Sequence, residues 1–72
     1  MLGKFVELRQ TTGQPAHIAI AAIAGYHPDP DPGNAGGTEL VTTYGGQYQL
    51  LEDPDQVKSL LELLGFEYAG IH

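Results

Sequence analysis

Residues 53–64 read Asp-Pro-Asp-Gln-Val-Lys-Ser-Leu-Leu-Glu-Leu-Leu and predict the helix around which the rest of the fold is interpreted. Asp53 suits the N-cap, Pro54 suits the first helical position, and Gln56 completes a capping box with Asp53. Asp55 adds negative charge near the positive end of the helix dipole. Apolar residues then recur at helical spacing and form a single stripe, which we expect to be core: Val57, Leu60, Leu61 and Leu64.

The chain continues past this helix with an apolar tail. Gly65 is expected to end the helix in a left-handed conformation. Residues 66–72 include Phe66, Tyr68 and Ile71, whereas a free tail is normally polar. The tail therefore packs on its own sheet, adds an edge strand, or crosses to a neighbouring subunit. We accordingly divide the chain into one β-rich domain, residues 1–65, and a tail, residues 66–72.

A β-hairpin precedes the helix. Residues 38–44 are rich in threonine and valine, and residues 47–51 form the returning strand. The pair Gly45-Gly46 between them predicts a two-residue turn. Tyr48 and Leu50 are expected on one side of the second strand. A helix with an apolar stripe needs such a sheet to cover.

The N-terminal half predicts further strands. Residues 5–10 alternate, with Val6 and Leu8 on one face and Phe5 on the polar face. Residues 16–26 form either one long strand or two short ones broken near alanines 21 and 22. Neither face of this segment is polar, so its second face is covered by the helix or by another subunit. The predicted class is α+β, a small antiparallel sheet of about four to five strands covered by one C-terminal helix.

The loop at residues 27–33 reads His-Pro-Asp-Pro-Asp-Pro-Gly. Its alternating prolines predict a stiff, extended segment that projects from the domain. Projecting loops often carry binding residues. Although Asp29 and Asp31 resemble the alternating acids of a calcium loop, the prolines oppose the tight wrap such loops need. We predict no bound metal and no cofactor.

Composition excludes several functions. The chain has 72 residues, a formal net charge of −6, only three Lys and Arg residues, and no cysteine. Disulfides and cysteine zinc sites are therefore ruled out, and three scattered cations argue against nucleic-acid binding. No apolar run is long enough for a membrane span, and no signal peptide is evident, so a cytoplasmic location is expected. Ser59, the only serine, has no marked base, so no enzymatic activity is predicted.

The order of these features resembles a known family. The elements are the strand at residues 5–8, the Thr12-Gly13 turn, the isoleucine-rich residues 18–23, the hairpin, and the acidic cap before Val57. Over residues 5–64 the chain looks like the FlbD or SwrD family of small flagellar-motility proteins, and like bacterial and phage proteins built the same way. The resemblance implies a fold and a motility setting, and transfers no site residues. A longer Pro-Asp loop, an alanine-rich middle segment and the tail depart from it.

Two functions follow as hypotheses. The first is a non-enzymatic interaction module that works as a homo-oligomer and binds a protein partner, because a chain this short buries a marginal core. The alternative is a phage-encoded counter-defence protein that sequesters a nucleotide-type signal in an intersubunit pocket. The expected interface residues are Phe5, Ile23, Phe66, Tyr68 and Ile71. The candidate ligand-binding residues are Arg9, His17, Tyr26, His27, Tyr44 and Tyr48.

Overall fold

The computed structural model describes residues 4–64, which form five strands and one α-helix. The α+β prediction is confirmed, with the strands divided between two small antiparallel sheets. The elements in chain order are β1 (Phe5–Arg9), β2 (Pro15–Ala19), a 3-10 turn (Ile20–Ala22), β3 (Ile23–Pro28), a second 3-10 turn (Pro32–Asn34), β4 (Thr38–Thr42), β5 (Gln47–Leu50) and α1 (Pro54–Leu63). Residues 4–64 form no helix long and apolar enough to cross a membrane.

The two sheets meet where the end of β1 lies beside the end of β5. One sheet is β1–β2, and the other has the order β3–β4–β5. The Leu51 N–H donates to the Arg9 carbonyl at 2.8 Å, and the Thr11 N–H donates to the Gln49 carbonyl at 3.0 Å. These bonds join the sheets at one corner, so that both can share a single core.

The middle segment forms two strands, β2 and β3, which confirms the second of the two alternatives. The 3-10 turn at Ile20–Ala22 separates them and is tied down at both ends. The Ile20 N–H donates to the Lys4 carbonyl at 2.8 Å, and the Thr43 N–H donates to the Ala22 carbonyl at 2.8 Å. The turn carries the chain from the first sheet into the second.

Ile23 is a core residue, so the expectation that it stays partly exposed at an interface is wrong. Only 7% of its surface is accessible. In a continuous strand Ile18 and Ile23 would point to opposite faces, because side chains alternate with period two. The 3-10 turn resets this alternation, and both face inward. The core consists of Val6, Leu8, Ala16, Ile18, Ile23, Leu40, Leu50, Val57 and Leu61.

The helix α1 begins as its sequence predicts. The Gln56 N–H donates to the Asp53 carboxylate at 2.8 Å, and the Asp53 N–H donates to the Gln56 Oε1 at 3.0 Å. Val57 and Leu61 are buried, and Leu60 and Leu64 are half-buried against the same core. The predicted stop at Gly65 and the tail with Phe66, Tyr68 and Ile71 lie outside the described residues.

The turn between β4 and β5 is longer than predicted. The strands end at Thr42 and resume at Gln47, so four residues connect them rather than two. The Thr42 hydroxyl accepts a hydrogen bond from the Gly46 N–H at 2.8 Å, and Gly45 adopts a φ of +89°. The side chain of Thr42 thus closes the turn, which the glycine pair alone did not indicate.

The loop after β3 is folded against the domain, so the prediction of an extended projecting loop is wrong. Tyr26, His27 and Pro28 belong to β3 itself. Asp29 is buried, and its carboxylate accepts from the Asp31 N–H at 3.0 Å and from the Asn34 side-chain amide at 2.8 Å. The same amide donates to the Leu50 carbonyl at 3.0 Å. These local bonds outweigh the stiffness of the prolines.

Candidate functional site

The six candidate ligand-binding residues lie on different parts of the fold. Arg9 and His17 are on the outward side of the β1–β2 sheet, because the burial of both strands alternates. His27 pairs with Glu39 on the outward side of the second sheet. The three tyrosines lie elsewhere, so a single chain does not gather all six residues into one pocket.

The outward side of the β1–β2 sheet, here called the hairpin face, brings together three of the predicted site residues: Phe5, Arg9 and His17. It consists of three cross-strand pairs: Phe5 with Ala19, Glu7 with His17, and Arg9 with Pro15. Directly opposite residues of an antiparallel pair interact through their side chains. Each strand contributes every second residue to the hairpin face. The face therefore presents, in order, an apolar pair, an ionisable pair and a pair that contains the basic Arg9.

The Glu7–His17 pair is exposed to solvent. The His17 Nε2 lies 3.3 Å from the Glu7 Oε1, and both side chains are mostly accessible. Exposed pairs of this kind add little to stability, since water and salt screen them.

Phe5 is the unusual member of the hairpin face. It is 59% exposed, and its cross-strand neighbour Ala19 is small. Lys4, the residue before it, donates from its Nζ to the Leu64 carbonyl at 3.0 Å, which joins the start of β1 to the C-terminal end of α1. Leu63 of that helix is 82% exposed. Phe5 and Leu63 are thus two separate exposed apolar side chains, one at the start of β1 and one near the end of α1.

Tyr44 and Tyr48 form an aromatic pair at the β4–β5 turn. Their hydroxyl oxygens are 3.4 Å apart, and Tyr44 is exposed. The hydrogen bond with Tyr44, repulsion from the charged form of Tyr44, and burial together raise the pKa of Tyr48. Tyr26 and Tyr48 flank Leu40 in register and pack against the core. Tyr44 and Tyr48 together offer a flat, neutral, amphipathic surface of the kind that binds rings or apolar partners.

Two further groups carry charge. The His27 Nε2 lies 2.6 Å from the Glu39 Oε1, and the Glu39 side chain is only 14% exposed. Hydrogen bonds from Asn34 and from the Asp31 N–H lower the pKa of Asp29, although burial opposes them. The carboxylates of both Asp29 and Asp31 therefore accept hydrogen bonds from the protein itself. Asp31 accepts from the Gly33 N–H at 2.9 Å. Among residues 4–64, no group of three histidine or acidic side chains is placed to hold a metal ion.

A shallow acidic groove of about 450 Å³ at the start of α1 was not predicted as a site. The sequence pattern assigns Asp53 to the N-cap and Asp55 to the helix dipole, and Asp53 does serve as the cap. Glu52 is also engaged, because its carboxylate accepts from the Arg9 N–H at 3.0 Å. The lining residues are Glu52, Asp53, Asp55, Gln56, Ser59 and Leu60. The approach of Glu52 to β1 depends on how the two sheets join, which no local pattern signals.

The fold and the hairpin face define a small α+β domain with an exposed apolar and aromatic surface. Comparisons with models of protein families, with curated proteins and with solved structures found no match for the chain. The resemblance to the FlbD or SwrD family stays a prediction.

Proposed function

We propose that this chain is a non-enzymatic interaction module that works as a homo-oligomer and binds a protein partner. The observation that carries the proposal is Phe5, an aromatic side chain 59% exposed on the hairpin face. Phe5 and its cross-strand neighbour Ala19 form the apolar end of the hairpin face, and contiguous exposed apolar surface marks interaction sites. Burying an aromatic side chain removes a large apolar area from water, which favours association.

The arrangement of reactive groups favours binding over catalysis. The two histidines of the described chain each contact a glutamate, His17 with Glu7 and His27 with Glu39. A nucleophilic mechanism instead needs a hydroxyl within hydrogen-bond reach of a base. Ser59 lines the groove at the start of α1, and neither histidine of residues 4–64 is hydrogen-bonded to it. An interaction surface requires none of this chemistry.

The alternative, a phage counter-defence protein that sequesters a nucleotide-type ligand, depends on an intersubunit pocket. Tyr44 and Tyr48 supply stacking surface, whereas Arg9 and His17, which would meet an anionic group, lie on the hairpin face. A pocket with both would have to combine surfaces of two copies. Self-association is therefore the property to test first, because both functions require it.

The test is the molar mass by light scattering over a hundredfold dilution, for the natural chain and two variants. Phe5→Ser removes the exposed aromatic from the hairpin face and is expected to weaken assembly. Leu51→Ser is the control, because Leu51 is also exposed but lies across β1 from β2, next to the Arg9 carbonyl. A constant monomer mass for the natural chain would refute the homo-oligomer. If the two substitutions weaken assembly equally, Phe5 has no specific part in the interface.

A further inference from the structure

We propose that two copies of this chain join through the edges of their β2 strands, in antiparallel pairing about a two-fold axis. The proposal rests on the self-association proposed above and names its interface. The two β1–β2 sheets would become one continuous four-stranded sheet, with the hairpin faces of both copies on the same side. Closed two-fold dimers are the commonest form of homo-oligomer.

The hydrogen-bond pattern of the hairpin leaves the outer edge of β2 open. Bonds from the Ile20 N–H to the Lys4 carbonyl and from the Gln10 N–H to the Gln14 carbonyl mark two bonded pairs of the ladder. Because bonded and non-bonded pairs alternate in antiparallel strands, His17 and Ala19 occupy non-bonded positions. Their N–H and C=O groups therefore point away from β1. The Ala19 carbonyl, as the N-cap of the 3-10 turn, accepts the first bond of that turn and keeps a second lone pair for another donor.

The other strand edges are less suited to pairing with a second chain. The far side of β1 is occupied at Arg9, which bonds through its N–H to Glu52 and through its carbonyl to Leu51. The outer edge of β3 is interrupted by an irregularity between Ile23 and Gly25 and ends at Pro28, which has no N–H. In contrast, β2 is regular in its pairing, and its only proline, Pro15, stands at the first position.

Charge selects the same edge for a second copy of this chain. Two copies with a net charge of −6 each repel one another. Residues 8–28, which include all of β2, contain no aspartate or glutamate. Lysine, an inward-pointing charge and a β-bulge are three features by which natural edge strands avoid pairing, and β2 has none of the three. The same range contains β3, whose edge is interrupted, so β2 is the regular edge along which two acidic molecules meet without acidic side chains on the strand.

One register gives partners to the N–H and C=O of His17 and to the Ala19 N–H, and adds a second bond to the Ala19 carbonyl. If His17 of one copy lies opposite Ala19 of the second copy, the two residues exchange both hydrogen bonds, and the two-fold axis repeats the exchange. Pairing His17 with its own equivalent would instead place the Ala19 carbonyl opposite Pro15, which has no donor. In the favoured register, one row across the four strands consists of Phe5 and Ala19 of one copy and His17 and Glu7 of the second copy. The second copy then partly covers the exposed Phe5 ring.

Ala19→Pro tests this interface with little expected change to the monomer. Ala19 has a φ of −65°, the value proline requires, and its N–H makes no bond within residues 4–64. Proline deletes this donor in both copies and places its ring on the edge. We expect the dissociation constant of the dimer to rise at least about tenfold by light scattering. Ala19→Ser, which keeps the N–H, is the matched control and should assemble like the natural chain.

Hydrogen exchange gives a second readout that needs no variant. The amides of His17 and Ala19 should exchange slowly at high protein concentration and rapidly after dilution below the dissociation constant, while the Ile18 amide stays protected throughout. This measurement decides the matter if circular dichroism shows that Ala19→Pro is unfolded. A natural chain that assembles while these two amides exchange fast, or a folded Ala19→Pro variant that assembles normally, overturns the β2 interface and leaves self-association standing. A monomeric natural chain overturns both proposals.

Discussion

At the scale of single residues, Gly37 occupies a place that no other residue fits. It precedes β4 and lies against the Asn34 side chain and the Leu50 carbonyl, which are hydrogen-bonded to each other. A Cβ at this position would collide with both groups. Because Asn34 also binds the buried Asp29, its displacement would disturb the whole loop after β3.

Gly37→Ala is therefore expected to destabilise the fold by about 1–3 kcal/mol, the usual cost of overpacking a filled site. Gly25→Ala is the control, since a Cβ there meets nothing within 4 Å and its φ is not positive. Urea denaturation followed by circular dichroism measures both. Equal midpoints for the two variants would show that the contact around Gly37 relaxes without cost.

Asp29 makes the stability depend on pH in a stated direction. Its pKa in the folded chain lies below the ordinary value of 3.8, chiefly because of the hydrogen bond from Asn34. Because this pKa is lowered by folding, ionised Asp29 stabilises the fold at any pH above the ordinary carboxyl pKa. This stabilisation is lost as the pH falls through the pKa of Asp29 in the folded chain. The affected window therefore lies below about pH 4.

Asp29→Asn is expected to flatten the fall of stability in this window, because the variant has no carboxyl proton to take up. Urea midpoints between about pH 2 and pH 6 measure the effect. Asp55→Asn is the control for net charge, as Asp55 is an exposed residue in the first turn of α1. If the two variants lose stability in parallel with acid, the contacts around Asp29 are not the source.

At the scale of elements, α1 is stabilised by the side chains it buries. Leu61 is 1% exposed and belongs to the core, whereas Leu63, two residues on, is 82% exposed. Leu61→Ala is expected to cost about 2–5 kcal/mol through lost burial and a residual cavity. Leu63→Ala is the matched control and should change the free energy of unfolding by less than about 0.5 kcal/mol. A small effect at Leu61, measured by urea or thermal unfolding, would mean that α1 does not cover the core.

The elements that local sequence determines are those that could be predicted. The capping box of Asp53 and Gln56 and the stripe around Leu61 depend on residues within a few positions of each other, so α1 and its buried face followed directly. The inward direction of Ile23 did not, because the 3-10 turn before it shifts the alternation. The fold of the loop at Asp29 depends on Asn34 reaching the Leu50 carbonyl, a contact across 16 positions in the chain.

At the scale of the whole molecule, the candidate site was the least predictable part. Alternation showed that Phe5 and His17 face away from the core, and the structure places both on the hairpin face. It gave no information on how that face lies relative to Tyr44 and Tyr48, because this depends on the corner where β1 meets β5. Which residues face outward could therefore be predicted from the sequence, whereas the arrangement of the surfaces relative to one another could not.

The charge of the whole molecule predicts how salt affects its assembly. Each copy carries a net charge of −6, so a dimer brings together twice that charge, while the proposed β2 edge is free of acids. Added salt screens the long-range repulsion and has no interfacial ion pair to weaken. We therefore expect the dissociation constant of the dimer, measured by light scattering, to fall as sodium chloride rises from about 20 mM to about 500 mM.

A double variant, Asp55→Asn with Glu62→Gln, removes two exposed charges from α1. It should assemble more tightly than the natural chain at low salt and respond less to added salt. Assembly that weakens with salt would instead indicate attraction between unlike charges, and with it a different interface from the one formed by two β2 strands.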